Sequence, residues 1–68
     1  MTPDELRRRR DQAGLTQAAL AARLEVAPNT VARWERGELT IARPAMVAAM
    51  LDRLVAEATD RTADARNA

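Results

Sequence analysis

The chain has 68 residues, a formal net charge of +1 and no cysteine, histidine, tyrosine or phenylalanine. Serine and lysine are missing as well, which removes the most common general base, the common nucleophiles and most metal ligands and leaves only Asp, Glu, Thr and Arg for chemistry, so we expect neither an enzyme nor a bound cofactor or metal. No apolar run approaches the ~20 residues of a membrane span. The first residues also lack the apolar region of a signal peptide, which predicts a cytoplasmic protein without membrane contact.

The charge is unevenly distributed along the chain. Residues 7–43 contain eight arginines and four acidic residues, a net charge of +4, whereas residues 44–68 contain three arginines and four acidic residues, a net charge of −1. A basic region of this kind favours a phosphate-facing surface. The use of arginine at every basic position is explained at least as well by a GC-rich coding sequence.

The first residues predict a helix with a well-formed start. Thr2 is suited to the N-cap, Pro3 to the first turn, and Glu5 completes a capping box three residues after the cap. The helix is expected to continue to about Ala13 and to end at Gly14.

Two arginines interrupt the apolar stripe of this first helix. Arg9 and Arg10 stand between Leu6 and Ala13 at helical spacing, so one guanidinium is expected to face inward. A buried guanidinium needs a partner, and Glu35 is the predicted one because it is the most inward acid of the third helix.

Residues 14–37 predict two short helices joined by a tight turn. Thr16 is an N-cap type of residue with apolar residues at helical spacing behind it, and Pro28 stands where the second of these helices would begin. Gly37 readily adopts the left-handed conformation that ends many helices. Two short helices with a tight turn and a polar outer face are typical of a helix-turn-helix, a DNA-reading device.

The third predicted helix has two distinct faces. Val31, Trp34 and Glu35 fall on the inner face, and Trp34 is interpreted as core in preference to a stacking role on bases or sugars. The outer face carries Asn29, Thr30, Arg33 and Arg36.

The segment after Gly37 predicts a loop and then the longest helix. Leu39 and Ile41 of the loop are expected to pack against the core, and Pro44 begins a long segment with one wide apolar stripe. Part of this stripe closes the core, and the rest exceeds what three short helices can cover. We therefore predict a two-fold homodimer contact, the alternative being a monomer with exposed methionines. The predicted contact residues are Met46, Met50 and Leu54.

The predicted organisation is a single all-α, four-helix domain with room for a short fifth element. Residues 1–58 form the DNA-binding domain with its C-terminal helix. Residues 59–68 contain no large apolar side chain and are expected to be a frayed or disordered tail.

Residues 6–54 resemble the Cro/C1-type helix-turn-helix family of bacterial and phage repressors. The residues that carry the resemblance are Leu6, Arg10, Gly14, Leu15, Thr16, Gln17, Ala21, Leu24, Val26, Val31, Trp34, Glu35 and Gly37. It implies a lambda-repressor-like fold, binding of DNA as a dimer with the third helix in the major groove, and an ion pair between Arg10 and Glu35.

The resemblance also implies roles for individual residues. Base contacts are implied for Asn29, Thr30, Arg33, Pro28 and Gln17. Phosphate contacts are implied for Thr16, Gln17, Arg36, Thr40 and Arg43. The chemistry agrees, since Arg33 can bond guanine O6 and N7 in parallel, Asn29 can do the same to adenine N6 and N7, and a helix N-terminus attracts anions.

Two positions depart from the pattern of this family. Glu25 occupies a turn position that is commonly glycine, which costs roughly 1 kcal/mol if the backbone there is left-handed. Ala27 occupies a cap position that is commonly serine or threonine, which forfeits about another 1 kcal/mol. Both departures bear on stability rather than on function.

Together these features predict a sequence-specific DNA-binding transcriptional regulator. The expected form is a repressor or autoregulator that binds an inverted-repeat operator in double-stranded DNA as a homodimer, with helix 28–36 in the major groove. The alternative is a protein–protein interaction module or an antitoxin whose main partner is another protein, bound through the final helix.

Overall fold

The structure is a computed structural model that describes the backbone of residues 1–67 and the side chains of residues 1–60. Its four helices are α1 (Pro3–Gln12), α2 (Gln17–Leu24), α3 (Pro28–Glu35) and α4 (Pro44–Asn67). The described backbone contains no strand and no fifth helix. The predicted all-α, four-helix architecture is therefore confirmed, without the short fifth element for which the sequence left room.

The first two helices begin at side-chain caps. The Thr2 hydroxyl oxygen accepts a hydrogen bond from the backbone N–H of Glu5 at 3.2 Å, and the Thr16 hydroxyl oxygen accepts one from that of Ala19 at 3.0 Å. Each cap satisfies one of the N–H groups that a helix leaves without an internal partner at its start. Gly14, with φ of 71°, lies in the turn that separates the two helices.

The turn between α2 and α3 contains both departures noted in the sequence. Glu25 has φ of 58°, and the backbone N–H of Val26 donates to the Ala21 carbonyl at 3.0 Å. This is the helix ending in which glycine is preferred, so Glu25 holds a left-handed backbone with a side chain present. Ala27, at the N-cap of α3, provides no side-chain hydrogen bond.

The connection from α3 to α4 contains two more left-handed residues. Gly37 has φ of 74° just beyond α3, and Arg43 has φ of 47° just before α4. The Arg43 carbonyl accepts hydrogen bonds from the N–H groups of Met46 and Val47, so this residue occupies the N-cap position immediately before α4. Left-handed backbone is uncommon for arginine and stores strain at this position.

A thin apolar core lies between the helices. Its buried members are Leu6, Ala13, Leu20, Ala21, Val31, Trp34, Ile41, Val47, Leu51 and Leu54. Trp34 is 3 % exposed and lies in the core, as interpreted from the sequence. The expectation for the loop holds for Ile41 only, because Leu39 is 38 % exposed and borders a shallow surface depression beside Met1 and Pro3.

The packing of α1 against α4 determines which part of the long helix is covered. Arg9 bridges the two helices, donating to Glu5 at 3.1 Å and to Asp52 at 3.0 Å. Leu54 is 6 % exposed and belongs to the core. Its predicted assignment to a dimer contact is therefore corrected, because the monomer already buries this side chain.

Helix α4 crosses position 58 without a break. The predicted division into residues 1–58 and a frayed tail stays a prediction, since residues 61–68 lie outside the described side chains. Over the residues described, none of the four helices combines the length and the apolar character needed to cross a lipid bilayer.

Candidate nucleic-acid interface

One side of α3 presents polar side chains to solvent. Asn29, Arg33 and Arg36 are exposed, while Val31 and Trp34 on the opposite side are buried. The helical period places the three exposed residues on one surface, because positions separated by three and four residues lie one above the other. Among the other residues predicted to contact bases, Pro28 is exposed at the start of α3 and Thr30 is half-buried at the edge of this surface.

The start of α2 presents unpaired backbone donors. The Thr16 hydroxyl oxygen accepts a hydrogen bond from the N–H of Ala19. The N–H groups of Gln17 and Ala18 belong to the first helical turn and have no acceptor within the helix. Backbone N–H groups at a helix N-terminus, together with the positive end of the helix dipole, form a favourable place for an anion. The Thr16 side chain is exposed and the Gln17 side chain is half-buried beside this end.

A largely buried ion pair joins α1 to the end of α3. Arg10 donates from Nε to Glu35 Oε2 at 2.7 Å and from its second terminal nitrogen to Glu35 Oε1 at 3.1 Å. The side chains are 11 % and 5 % exposed. The structure thus brings together the two residues that the sequence paired, in a two-pronged geometry that suits a guanidinium and a carboxylate.

The same guanidinium also fixes the loop before α2. The other terminal nitrogen of Arg10 donates to the Leu15 carbonyl at 2.8 Å. The hydrogen bonds to Glu35 raise the pKa of Arg10 above its ordinary value, the charges of Glu35 and Asp11 act in the same direction, and partial burial acts against them. Arg10 therefore remains a cation that holds the loop, α1 and α3 together.

Gln17 makes a contact that sequence reasoning missed. Its side-chain amide donates to Glu35 Oε1 at 3.2 Å, across an interval of 18 residues. The resemblance implied a role for Gln17 toward DNA but no partner within the protein. A glutamine side chain has several rotamers, so no local sequence signal indicates this contact.

The end of α3 contains a second contact that the sequence did not indicate. Arg36 donates from Nε to the Glu38 carboxylate, and both side chains are about half exposed. Arg43 and Thr40, the other predicted phosphate-contacting residues in this region, are exposed. The described residues thus place one carboxylate directly beside a basic side chain of the candidate interface.

The predicted dimer contact retains two of its three residues at the surface. Met46 is 52 % exposed, and Met50 is half-buried against the core. Met46 borders a largely apolar groove of about 470 Å³, whose lining includes Leu24, Val26 and Trp34 and also the charged residues Glu25 and Arg43. The indole N–H of Trp34 is buried without a hydrogen-bond partner among the described residues.

Comparison with known proteins identifies one family to which the chain belongs. A family model described as a helix-turn-helix domain matches residues 4–63, which includes all but the first residue of α1, all of α2 and α3, and most of α4. No curated protein and no solved structure matches the chain. Over the described residues, there is also no cluster of three or more acidic side chains that could hold a metal ion.

Proposed function

We propose that this chain, which belongs to the helix-turn-helix domain family, is a transcriptional regulator that binds a specific sequence in double-stranded DNA. The observation that carries the proposal is the exposed polar side of α3, together with the start of α2, where backbone N–H groups without an acceptor in the helix favour an anion. Family membership points to a DNA-binding regulator, and the residues on these two surfaces are those that direct reading of DNA requires. A regulator of this kind works in the compartment that contains the DNA.

In the proposed complex α3 lies in the major groove and reads base edges. Arg33 supplies two parallel donors for guanine O6 and N7, and Asn29 supplies a donor and an acceptor for adenine N6 and N7. Both side chains are exposed, as this role requires. Thr30 and Pro28 lie beside them, Thr30 with a hydroxyl for hydrogen bonding and Pro28 with an apolar surface for a thymine methyl group.

Phosphate contacts supply most of the affinity in this proposal. The N-terminal end of α2 holds one phosphate through backbone N–H groups, with Thr16 and Gln17 beside it. Arg36, Thr40 and Arg43 contact the backbone from the end of α3 and the loop that follows. Such contacts position the protein without reading sequence. Each one releases a counterion from the DNA, so the affinity falls as the salt concentration rises.

A homodimer is the second part of the proposal, with another copy of this chain as the occupant of the apolar groove. The groove and the exposed Met46 at its edge form one patch that contains both a protruding side chain and a depression. A two-fold axis brings each protrusion onto the other subunit's depression, which is the requirement for an isologous interface. The thin core of so small a domain also gains from additional burial.

A dimer of this kind binds an inverted repeat with half-sites about one helical turn apart, on the order of 34–36 Å. Binding at an operator next to its own gene makes it a repressor or autoregulator.

The test is selection of bound duplexes from a random DNA library by the purified protein at moderate salt. Enrichment of an inverted repeat is the expected result. Enrichment of a single half-site supports sequence-specific DNA binding but contradicts the proposed dimer. No enrichment by a folded, helical sample, or an affinity that is unchanged between about 50 and 200 mM salt, contradicts DNA binding and favours a protein partner.

A further inference from the structure

We infer that Glu35 is a positioning residue for Gln17, which it orients at the surface that faces DNA in the proposed function, on which this inference rests. Glu35 itself stays out of contact with DNA. Its side chain is 5 % exposed and lies at the end of α3, while the amide that it holds stands at the first position of α2. The contact links the two helices of the helix-turn-helix, because it joins the last residue of α3 to the first residue of α2.

The contact determines the orientation of the Gln17 amide. An ionised carboxylate has only acceptors, so the group that faces Glu35 Oε1 at 3.2 Å must be the NH₂ and not the carbonyl oxygen. Glu35 also accepts two hydrogen bonds from Arg10, at 2.7 and 3.1 Å, which hold the carboxylate in one place. Gln17 is therefore held by a fixed group and keeps one amide orientation before DNA is bound.

Arg10 contributes to this arrangement in two ways. Its positive charge neutralises Glu35, which otherwise would bring a buried negative charge close to the phosphate that the start of α2 is proposed to hold. Its bond to the Leu15 carbonyl at 2.8 Å holds the backbone immediately before the Thr16 cap. The backbone and the side-chain donors at the start of α2 are thus oriented by one guanidinium–carboxylate pair.

The functional consequence is preorganisation. A free surface glutamine loses rotamer freedom when it contacts DNA, and that loss weakens binding. Gln17 has already lost this freedom in the free protein, because Glu35 orders it. Replacing Glu35 with glutamine removes the constraint, since a glutamine at position 35 can donate or accept and so permits both orientations of the Gln17 amide.

The first experiment is a double-mutant cycle on DNA affinity with four proteins: the unaltered chain, Glu35→Gln, Gln17→Ala and the double variant. The probe is the duplex that the unaltered protein enriches most strongly from a random library. Glu35→Gln is expected to weaken binding by about 2- to 12-fold, the ordering cost of one side chain converted to affinity. In the Gln17→Ala background the same substitution is expected to have a clearly smaller effect, because the part that acts through the Gln17 amide is gone and only the part that acts through Arg10 remains.

Equal losses in both backgrounds overturn the inference and make Glu35 a purely structural residue. Circular dichroism at the assay temperature selects conditions in which all four proteins are folded.

The second experiment needs neither DNA nor a variant. The side-chain NH₂ groups of Gln17 and Gln12 are compared by ¹⁵N relaxation in the free protein, with Gln12 as an exposed control on α1. An ordered Gln17 amide beside a mobile Gln12 amide is expected. Equal mobility of the two overturns the inference whatever the DNA results. An ordered Gln17 amide in a protein that binds no duplex instead overturns the proposed function, and with it the role of the contact in DNA binding.

Discussion

Arg36 donates a hydrogen bond to the carboxylate of Glu38, two residues further along the chain and just beyond the end of α3. The pair is about half exposed on both sides, so its contribution to the free energy of unfolding is small, about 0–1 kcal/mol. We expect its effect on DNA binding to be larger, because Glu38 occupies a guanidinium that is proposed to contact phosphate and adds a negative charge beside it.

We therefore expect Glu38→Gln to tighten DNA binding. Release of Arg36 adds up to one phosphate contact, which steepens the dependence of log affinity on log salt by about 0.9. Titration of a labelled duplex at several salt concentrations measures both quantities. Glu57→Gln, at an exposed position on α4, makes the same change of charge away from the interface and is the control. Equal gains from both variants indicate a general effect of net charge and contradict a specific competition.

Arg33→Ala is expected to relax sequence preference. The exposed guanidinium of Arg33 lies on the outer side of α3, so its removal should cost about 1–3 kcal/mol on the best duplex and much less on random DNA. Selection from the random library should then show degeneracy at one base pair of each half-site. Arg53→Ala, an exposed position on α4, should leave the preference intact. An unchanged preference in Arg33→Ala excludes direct reading by this side chain.

Arg43→Gly is expected to move stability and affinity in opposite directions. The backbone at Arg43 has φ of 47°, and glycine adopts this conformation without the strain of about 1 kcal/mol or more that a side chain incurs. The variant also loses a proposed phosphate contact, which should weaken binding to all duplexes alike and lower the salt slope by about one unit. Thermal unfolding and DNA titration measure the two effects.

Arg43→Ala separates the two contributions. It removes the guanidinium and keeps a side chain on the left-handed backbone, so it should weaken DNA binding without raising the melting temperature. A gain in stability from both substitutions refutes the assignment of strain to this backbone.

The ends of the first three helices were predictable because their signals are local. Thr2 and Thr16 are caps that need only the next three residues, and Pro28 and Gly37 have backbone preferences of their own. The strain at Glu25 was predictable too, since the family pattern identifies a position at which glycine is usual. The inferences about the helix ends depend on a few neighbouring residues, whereas the inference about Glu25 depends on the family pattern.

Contacts between distant residues were predictable only in part. The Arg10–Glu35 pair follows from the need of an inward guanidinium for a carboxylate, and only one acid faces inward on α3. The contact of Gln17 with the same carboxylate depends on a rotamer choice, and the burial of Leu54 depends on where α1 lies along α4. Helix periodicity defines the apolar side of α4 but not which part of that side a neighbouring helix covers.

Glu25→Gly is expected to stabilise the domain. Glu25 has φ of 58° at the end of α2, and glycine there removes a steric cost of about 1 kcal/mol. For a domain of this size that change corresponds to a rise of about 4–8 °C in the melting temperature. Calorimetry or circular dichroism measures it. Glu25→Ala is the control, because it removes the charge and keeps the strained side chain, and a similar rise in this variant would falsify the conformational explanation.

Met46→Glu is expected to disrupt the proposed dimer. Met46 is 52 % exposed at the edge of the apolar groove, so a carboxylate there leaves the monomer folded but has to be desolvated when two copies associate. Sedimentation equilibrium should show a dimer for the unaltered chain and a monomer for the variant, which should bind a single half-site with little cooperativity. Leu39→Glu is the matched control, since Leu39 is 38 % exposed on a different surface and lies outside the groove. If the dimer persists in Met46→Glu and dissociates in Leu39→Glu, the result contradicts the proposed interface and indicates that the two copies meet at the depression beside Met1.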